Sequence, residues 1–583
     1  MATKTGSSTA SGLAPIKEEY IDRNHVKKIS QYLPSSMREE ISEGNDKGGQ
    51  KPKKKLKGRN KTRPIEKHLE EGKSRLCPNI IQKRECQFGE KCRFLHDPAE
   101  YWKTKPEDLP GPCYNFETFG RCPYGLTCRF AKQHTNEDLT EIQKKVEMKV
   151  EPSEKTVLSK ELQITLRKKK YDFSLTDKVV AQIRKENTKE ITLPAKRKLS
   201  EDGCDATIVS KPQVELENDD IAVKIRASEK KKIDFSDKTY LAPLTTVGNL
   251  PFRRVCKNYG VDITCGEMAV CTNLLQGQNS EWALVKRHAS EDLFGVQICG
   301  SFPDVVGRCA QLIDEHVNCD FIDLNCGCPI DLVYRRGEGC SLIGRATRLE
   351  AITKTVTSVI SKDFTIKMRT GISDGKNVAH TLIPMMEKNG VSAVTIHGRS
   401  REQRYTRSAD WNYIGECVKS AENMAVFGNG DILSFEDALN FKEIANTKSL
   451  MVARGALIKP WIFTEIKESR HWDISSSERF DMLKDFTNYG LAHWGSDIRG
   501  VETTRRFMLE WLSFLYRYIP VGLLEVLPQK INERPPYYFG RNDLETLMAS
   551  PNSGDWVKIS EMLLGPVPSN FVFLPKHKAN AYQ

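Results

Sequence analysis

Phe321-Ile322-Asp323-Leu324-Asn325-Cys326-Gly327-Cys328-Pro329 begins as an apolar strand, stops at Gly327 and Pro329, and leaves the thiol of Cys328 at the strand's C-terminal lip. A glycine-dotted run, Arg336-Gly337-Glu338-Gly339-Cys340, follows it. A thiol at such a lip, facing a pocket, can serve as an acid or a nucleophile. The competing reading is one more buried cysteine in a reduced protein. Other polar residues also gather where apolar runs end: Pro243-Leu244-Thr245, Gln297, Lys367 with Arg369, and His397 with Arg399. Lys367 alternates with Thr365, Ile366 and Met368, so it is expected to point the opposite way from them, into the pocket. Two loops, Gly428-Asn429-Gly430-Asp431 and Ala453-Arg454-Gly455-Ala456, offer backbone N–H groups made accessible by glycine, and Arg454 adds charge. Together they suit a phosphate. A phosphate cradle with Lys, Gln and His close by is what a flavin mononucleotide (FMN) needs, with its tail anchored and a cation near the electron-rich end of its ring.

The elements that must carry these residues are short apolar runs. Eight strand candidates stand out: 239–244, 263–270, 293–300, 319–326, 364–370, 393–398, 424–428 and 449–453. Each is separated from the next by enough residues for a helix, and Trp282, Val285 and Ala289 fall on one helical face. Eight such units in about 230 residues predict an α/β fold, a (β/α)8 TIM barrel over 232–465, rather than an open doubly wound sheet. No dinucleotide-binding glycine fingerprint follows the first strand. The strand ends, where the polar residues gather, are where such barrels keep their sites. Residues 466–583 read as a helical domain. Its clearest helix begins near Thr503 and aligns Phe507, Trp511, Phe514, Leu515 and Tyr518 before Pro520. That stripe is core more often than binding surface, while Arg505, Arg506 and Arg517 could meet RNA phosphates. A rigid turn over 532–538 and a terminal helix over 555–564 complete it.

Ahead of the barrel, over 71–135, lie two clusters. Cys77, Cys86, Cys92 and His96 are separated by eight, five and three residues; Cys113, Cys122, Cys128 and His134 by eight, five and five. Three thiolates and an imidazole can close a tetrahedral zinc shell, and segments this short have little other core. The spacing resembles CCCH zinc fingers, a class of single-stranded RNA readers, although Lys132 stands where the second histidine is usually found. Phe88, Phe94, Phe116, Phe119, Tyr124 and Phe130, with Arg93 and Arg129, could stack on splayed bases; some of these rings must instead be the fingers' core.

Residues 1–70 are polar and turn strongly basic from Lys51 to Arg63, a composition that predicts a disordered arm, with three readings open: a grip on RNA phosphates, a nuclear address or a merely solvated tail. Residues 136–231 read as a charged linker, helical in pieces, with basic clusters at Arg167–Lys170 and Lys196-Arg197-Lys198. The chain of 583 residues carries a net charge of +12 and 17 cysteines. It has no secretory h-region and no apolar run near the roughly 18 residues a bilayer requires. Cysteine use therefore points to a reducing compartment, with metal or catalytic roles.

Taken together, Ala242-Pro243-Leu244-Thr245, Gly327-Cys328-Pro329, Ile396-His397-Gly398-Arg399 and Gly428-Asn429-Gly430-Asp431 resemble the dihydrouridine synthase family, in its eukaryotic form with two CCCH fingers. The resemblance covers roughly 75 to 135 and 232 to 580. It implies an FMN-dependent oxidoreductase that reduces the C5=C6 bond of uridine in tRNA with NAD(P)H as electron source; whether messenger RNA is also a substrate, the residues do not fix. It implies Cys328 as general acid. It implies FMN contacts at Pro243, Leu244, Thr245, Gln297, Lys367, His397, Asn429, Gly430, Asp431, Ala453 and Arg454. Cys326 should point away from the pocket of Cys328. Hydride from reduced FMN would reach C6 and a proton from Cys328 would reach C5; a thiol with a pKa of about 8.5 is protonated at neutral pH. Lys367, His397 or Arg399 would stabilise the developing oxygen charge. A monomer without membrane attachment, in cytoplasm, nucleus or both, completes the expectation. Two other readings compete. A flavin barrel acting on a small pyrimidine or enone leaves the fingers without a purpose. An RNA-binding zinc-finger protein with a non-catalytic barrel leaves Cys328, Lys367 and the phosphate loops without one.

Overall fold

The computed structural model describes residues 12–23, 75–145, 158–191, 232–568 and 571–576. The eight apolar runs form parallel strands: β1 Thr239–Leu241, β2 Ile263–Cys265, β3 Leu293–Cys299, β4 Phe321–Cys326, β5 Asp363–Arg369, β6 Ala393–His397, β7 Ala425–Asn429 and β8 Ser449–Val452. Each pairs with the next, and β8 returns to β1 through Leu450 opposite Thr239 and Met451 opposite Tyr240. This closed ring, with helices outside it, is the expected TIM barrel.

Alternation along the strands sorts the side chains. On β4, Phe321, Asp323 and Asn325 face inward, while Ile322, Leu324 and Cys326 join the apolar layer beneath the helices. Cys326 is thus turned away from the pocket. On β5, Ile366 and Met368 face that outer layer. Thr365 does not join them. Two residues from Lys367, it shares the inward face and donates to Asp323 at 2.7 Å. Phe235, Tyr240, Phe321 and Phe427 meet edge-on, with ring centroids 5.5 to 6.2 Å apart, and seal the floor of the barrel. The open mouth therefore lies at the strands' C-terminal ends.

Several expectations are revised by packing. The helix at Asn279–Trp282 runs into a 3-10 turn over Ala283–Val285 and ends, so Trp282 and Val285 are buried but Ala289 is exposed in a turn. The linker contains two helices, Lys160–Arg167, whose Gln163 donates to the Gly277 carbonyl at 2.8 Å, and Ser174–Ile191, which packs on the barrel helices Pro303–His316 and Ala346–Val359. Thr176, buried there, donates to Gln311 at 2.6 Å. Part of the arm expected to be disordered, residues 12–23, lies against the C-terminal domain. Its Ala14 and Ile16 bury with Ile519, Leu523 and Tyr538, and Ala14 N–H donates to the Arg534 carbonyl at 2.9 Å. The basic runs at Lys51–Arg63 and Lys196–Lys198 lie outside the described residues.

In the C-terminal domain, helices Ser476–Trp494 and Ile498–Leu515 pack together, the second capped by Asp497 rather than starting near Thr503. Trp511, Leu515 and Tyr518 are buried. Arg505 is not available to RNA. It is buried, and its guanidinium donates to the Leu564 and Gly565 carbonyls at 2.8 and 2.9 Å, closing the end of helix Ser553–Leu564. Arg517 donates to the Ile531 carbonyl at 2.8 Å, which leaves Arg506 the exposed member of the three. No described helix is long and apolar enough to cross a membrane.

Candidate active site and metal centres

Cys328 follows β4 on a loop fastened at both sides. Asn325 accepts from the backbone N–H of Gly327 and Cys328 at 3.1 and 2.9 Å, bending the chain as β4 ends. Arg369, at the end of β5, donates to the Gly327 carbonyl at 3.0 Å and to the Ser400 carbonyl at 2.9 Å. Gly339 closes the loop from below: its φ is +59°, and a Cβ there would lie 2.9 Å from the Cys328 carbonyl oxygen. Only glycine fits. The thiol is half-buried, and burial pushes its pKa above the ordinary value, against the nearby charges of Arg369 and Lys367. It is therefore held as S–H at neutral pH.

Beneath it runs a buried polar chain. Thr365 and Gln297 donate to Asp323, both at 2.7 Å, and Asn325 donates to the Gln297 carbonyl oxygen at 2.8 Å. Burial raises Asp323 to about 6, although these hydrogen bonds and the charge of Lys367 pull it down. The chain fixes which end of each amide faces which neighbour, and so fixes Asn325 under the Cys328 loop. Gln297 was expected to contact FMN; its oxygen and one N–H are already engaged within the protein. Asp323, Asn325 and Thr365 were missed, although their period-two placement among apolar residues marks them as inward.

Lys367 has no hydrogen-bonded or ion-paired partner among the described residues, and burial, then Arg369, lower it to about 8. His397 is buried. Arg399 donates to its Nε2 at 3.3 Å; a guanidinium only donates, so Nε2 is bare and the proton sits on Nδ1. Burial, with surrounding arginines and Lys367, holds that imidazole neutral. Arg399 itself is spent: it donates to the Arg407 carbonyl at 2.6 Å and to both oxygens of Asp431 at 2.8 and 2.6 Å. Lys367 and His397 are left as the mouth's available donors.

The two glycine-bearing loops are brought together. Asp431 accepts from Arg454 at 2.8 Å as well as from Arg399, and Asn429 donates to the Met451 carbonyl at 2.7 Å. Gly430 has φ +139°, and a Cβ there would meet the Ala409 methyl at 2.5 Å. Asp431 therefore orients two guanidiniums rather than facing a ligand. Ala453 precedes the short helix Arg454–Ile458, and Pro243, Leu244 and Thr245 follow β1, with Thr245 exposed. Lys367, with Arg369 and Arg454 close by, gives this mouth a positive lining that suits an anionic ligand such as FMN.

Each cysteine cluster closes on itself. The ligand atoms of Cys77, Cys86, Cys92 and His96 lie within 4.8 Å of one another, as do those of Cys113, Cys122, Cys128 and His134. The Nε2 atoms of both histidines are buried without a hydrogen-bond partner among the described residues. Three sulfurs and an unpaired imidazole nitrogen make a zinc donor set. The longer final spacing of the second cluster is taken up by a 3-10 turn, Ala131–Gln133, which carries His134 back to the group.

Comparison with known sequences agrees with this geometry. Residues 240–498 match the dihydrouridine synthase (Dus) family, and residues 73–104 and 105–137 each match the DUS3L CCCH zinc finger domain. A Xenopus tropicalis protein named tRNA-dihydrouridine(47) synthase [NAD(P)(+)]-like is 55% identical over 94% of this chain and 88% of its own. A Homo sapiens protein of the same name is 54% identical over 91% and 85%. The tRNA-dihydrouridine(47) synthase [NAD(P)(+)] of Coprinopsis cinerea is 39% identical over 99% of both chains. With fingers, closed barrel and site residues in this order, the chain belongs to the dihydrouridine synthase family of oxidoreductases.

Proposed function

We propose that the protein reduces the C5=C6 bond of uridine 47 in tRNA, using FMN in the barrel mouth and NAD(P)H as electron source. The observation that carries this reading is the Cys328 loop, fastened by Asn325 and Arg369, at the same mouth as Lys367, which has no partner among the described residues, and His397, whose Nε2 faces the Arg399 guanidinium. FMN, when bound, would supply hydride to C6 of the uracil ring. Cys328 donates its proton to C5, on a loop that Asn325 and Arg369 keep from drifting. Lys367 and the Nδ1–H of His397 stabilise charge developing on the uracil carbonyl or hold the cofactor's polar edge. The paired loops after β7 and β8, with Arg454, would hold the FMN phosphate. Pro243 to Thr245 would border its ring. Zinc in the two Cys/His groups would order the fingers, which grip RNA while the target base is swung out at a cost of about a few kcal/mol.

The test is an assay of purified yellow protein. NADPH consumption and dihydrouridine formation should require unmodified tRNA and should fail with free uridine. Equal turnover of free uridine would favour a small-molecule reductase, and a colourless protein that cannot take up FMN would end the reading. Messenger RNA is a second candidate substrate on the same chemistry, tested by mapping dihydrouridine in both RNA classes from cells lacking the protein.

A further inference from the structure

Of the barrel's exposed large apolar side chains, Leu439 and Ile444 lie on the outer helix Phe435–Ala445, and four others lie at its mouth. Phe302 follows β3, Ile330 and Leu332 follow β4, and Tyr405 follows β6; they are 49, 52, 63 and 54% exposed. Side chains of this kind cost free energy in water and gather where something covers them. Three rings at this rim carry a guanidinium on the face: Arg348 over Phe302 at 4.7 Å, Arg401 over Tyr334 at 3.8 Å and Arg454 over Tyr405 at 4.5 Å. Asp331 joins two of these loops by accepting from Arg401 at 2.7 Å. Arg348 pairs with no carboxylate among the described residues.

We propose that this rim binds the nucleotides flanking the reduced uridine, bases on its rings and a phosphate on Arg348, with Arg401 held by Asp331 and Arg454 kept for the cofactor phosphate. The inference rests on the proposed function and deepens it. A base swung into the mouth leaves its neighbours without a stacking partner, and rings at the lip replace it. Planar cation–ring pairs suit a ligand that alternates flat faces with negative charges. A polar small molecule would leave Leu332 and Ile330 uncovered.

The test is dihydrouridine formation by the flavin-loaded enzyme with Phe302→Ala and Arg348→Ala. Each should raise the KM for tRNA about 5- to 100-fold, as expected for loss of one stacked base or its charge partner. Arg348→Ala should also lower the salt dependence of KM by about one unit of slope, while Phe302→Ala should leave it unchanged. Arg348→Lys should restore the slope without fully restoring KM. Should Phe302→Ala not fold, Phe302→Leu removes the ring face and keeps the apolar volume. Unchanged tRNA KM in a folded variant at both positions, or a rise in NADPH KM instead, overturns the rim. A parent enzyme that forms dihydrouridine in no RNA overturns the proposed function instead, so the two failures are distinguishable.

Discussion

In the first finger Cys86, Cys92 and His96 are half-exposed and Phe88 is 69% exposed, whereas all four Cys/His side chains of the second are buried. Both start from the same eight-then-five spacing. The second finger is built into the catalytic body. Arg129 N–H donates to the Ser496 carbonyl at 2.8 Å, Cys122 Sγ lies 3.4 Å from Ser496 Oγ, and Asn115 reaches the Leu491 carbonyl. Its Phe116 packs on His134, and Phe116 and Phe130 share the barrel's hydrophobic core. The Arg129 side chain turns back to the Glu107 carbonyl. In the first finger the matching arginine, Arg93, stays exposed over Phe94 at 4.7 Å. The shared eight-then-five spacing thus fixes the Cys/His group and nothing beyond it. The neighbours decide whether the rings become core or contact surface.

Four experiments break or sharpen this contrast. Cys122→Ser should have the largest effect, because structural zinc coupled to folding is worth about 10 kcal/mol or more, and here it orders a module sharing the barrel's core. Insoluble protein, or a sharp loss of melting temperature and of yellow colour together, is expected. An unchanged melt would make the second finger an appendage like the first. Cys77→Ser should instead leave flavin binding and the main melting transition intact and raise the KM for tRNA by tenfold or more. Loss of flavin there would erase the distinction.

A pH profile separates the regions by sign. Cys328 must carry its proton to donate it, and burial raises its pKa, so the thiol by itself holds kcat through about pH 8.5. The first alkaline fall should come near pH 8, where Lys367 loses its charge. Zinc ligands bind only when deprotonated, so acid should act on tRNA KM first, through the exposed finger. An alkaline fall centred near neutrality would contradict a raised thiol. The smallest effect is Phe88→Ala, about 1 kcal/mol of stacking and a severalfold rise in tRNA KM, with no change in melting temperature.

The barrel was legible because each strand is a short apolar run and no strand needed a distant partner to be recognised. Lys367 was legible for the same reason: one charge in an apolar run has one side to go. Grouping Thr365 with the apolar Ile366 and Met368 puts it on the wrong face; its period-two spacing from Lys367 places it inward, where it donates to Asp323. The strap at Ala14 and Ile16 offers two apolar residues in a polar arm, and its partners Ile519 and Tyr538 lie about five hundred residues away. No local pattern carries that. Arg505 looks like a phosphate ligand until helix Ser553–Leu564 ends against it, and the surroundings that set the two fingers apart are likewise tertiary.

The most direct measurement is single-turnover reduction of unmodified tRNA by prereduced Cys328→Ala enzyme. The account predicts parental flavin content and tRNA affinity with the rate of dihydrouridine formation down about 10²- to 10⁴-fold, the usual worth of a positioned proton donor. A rate equal to that of the parent would show that the proton reaches C5 from another group.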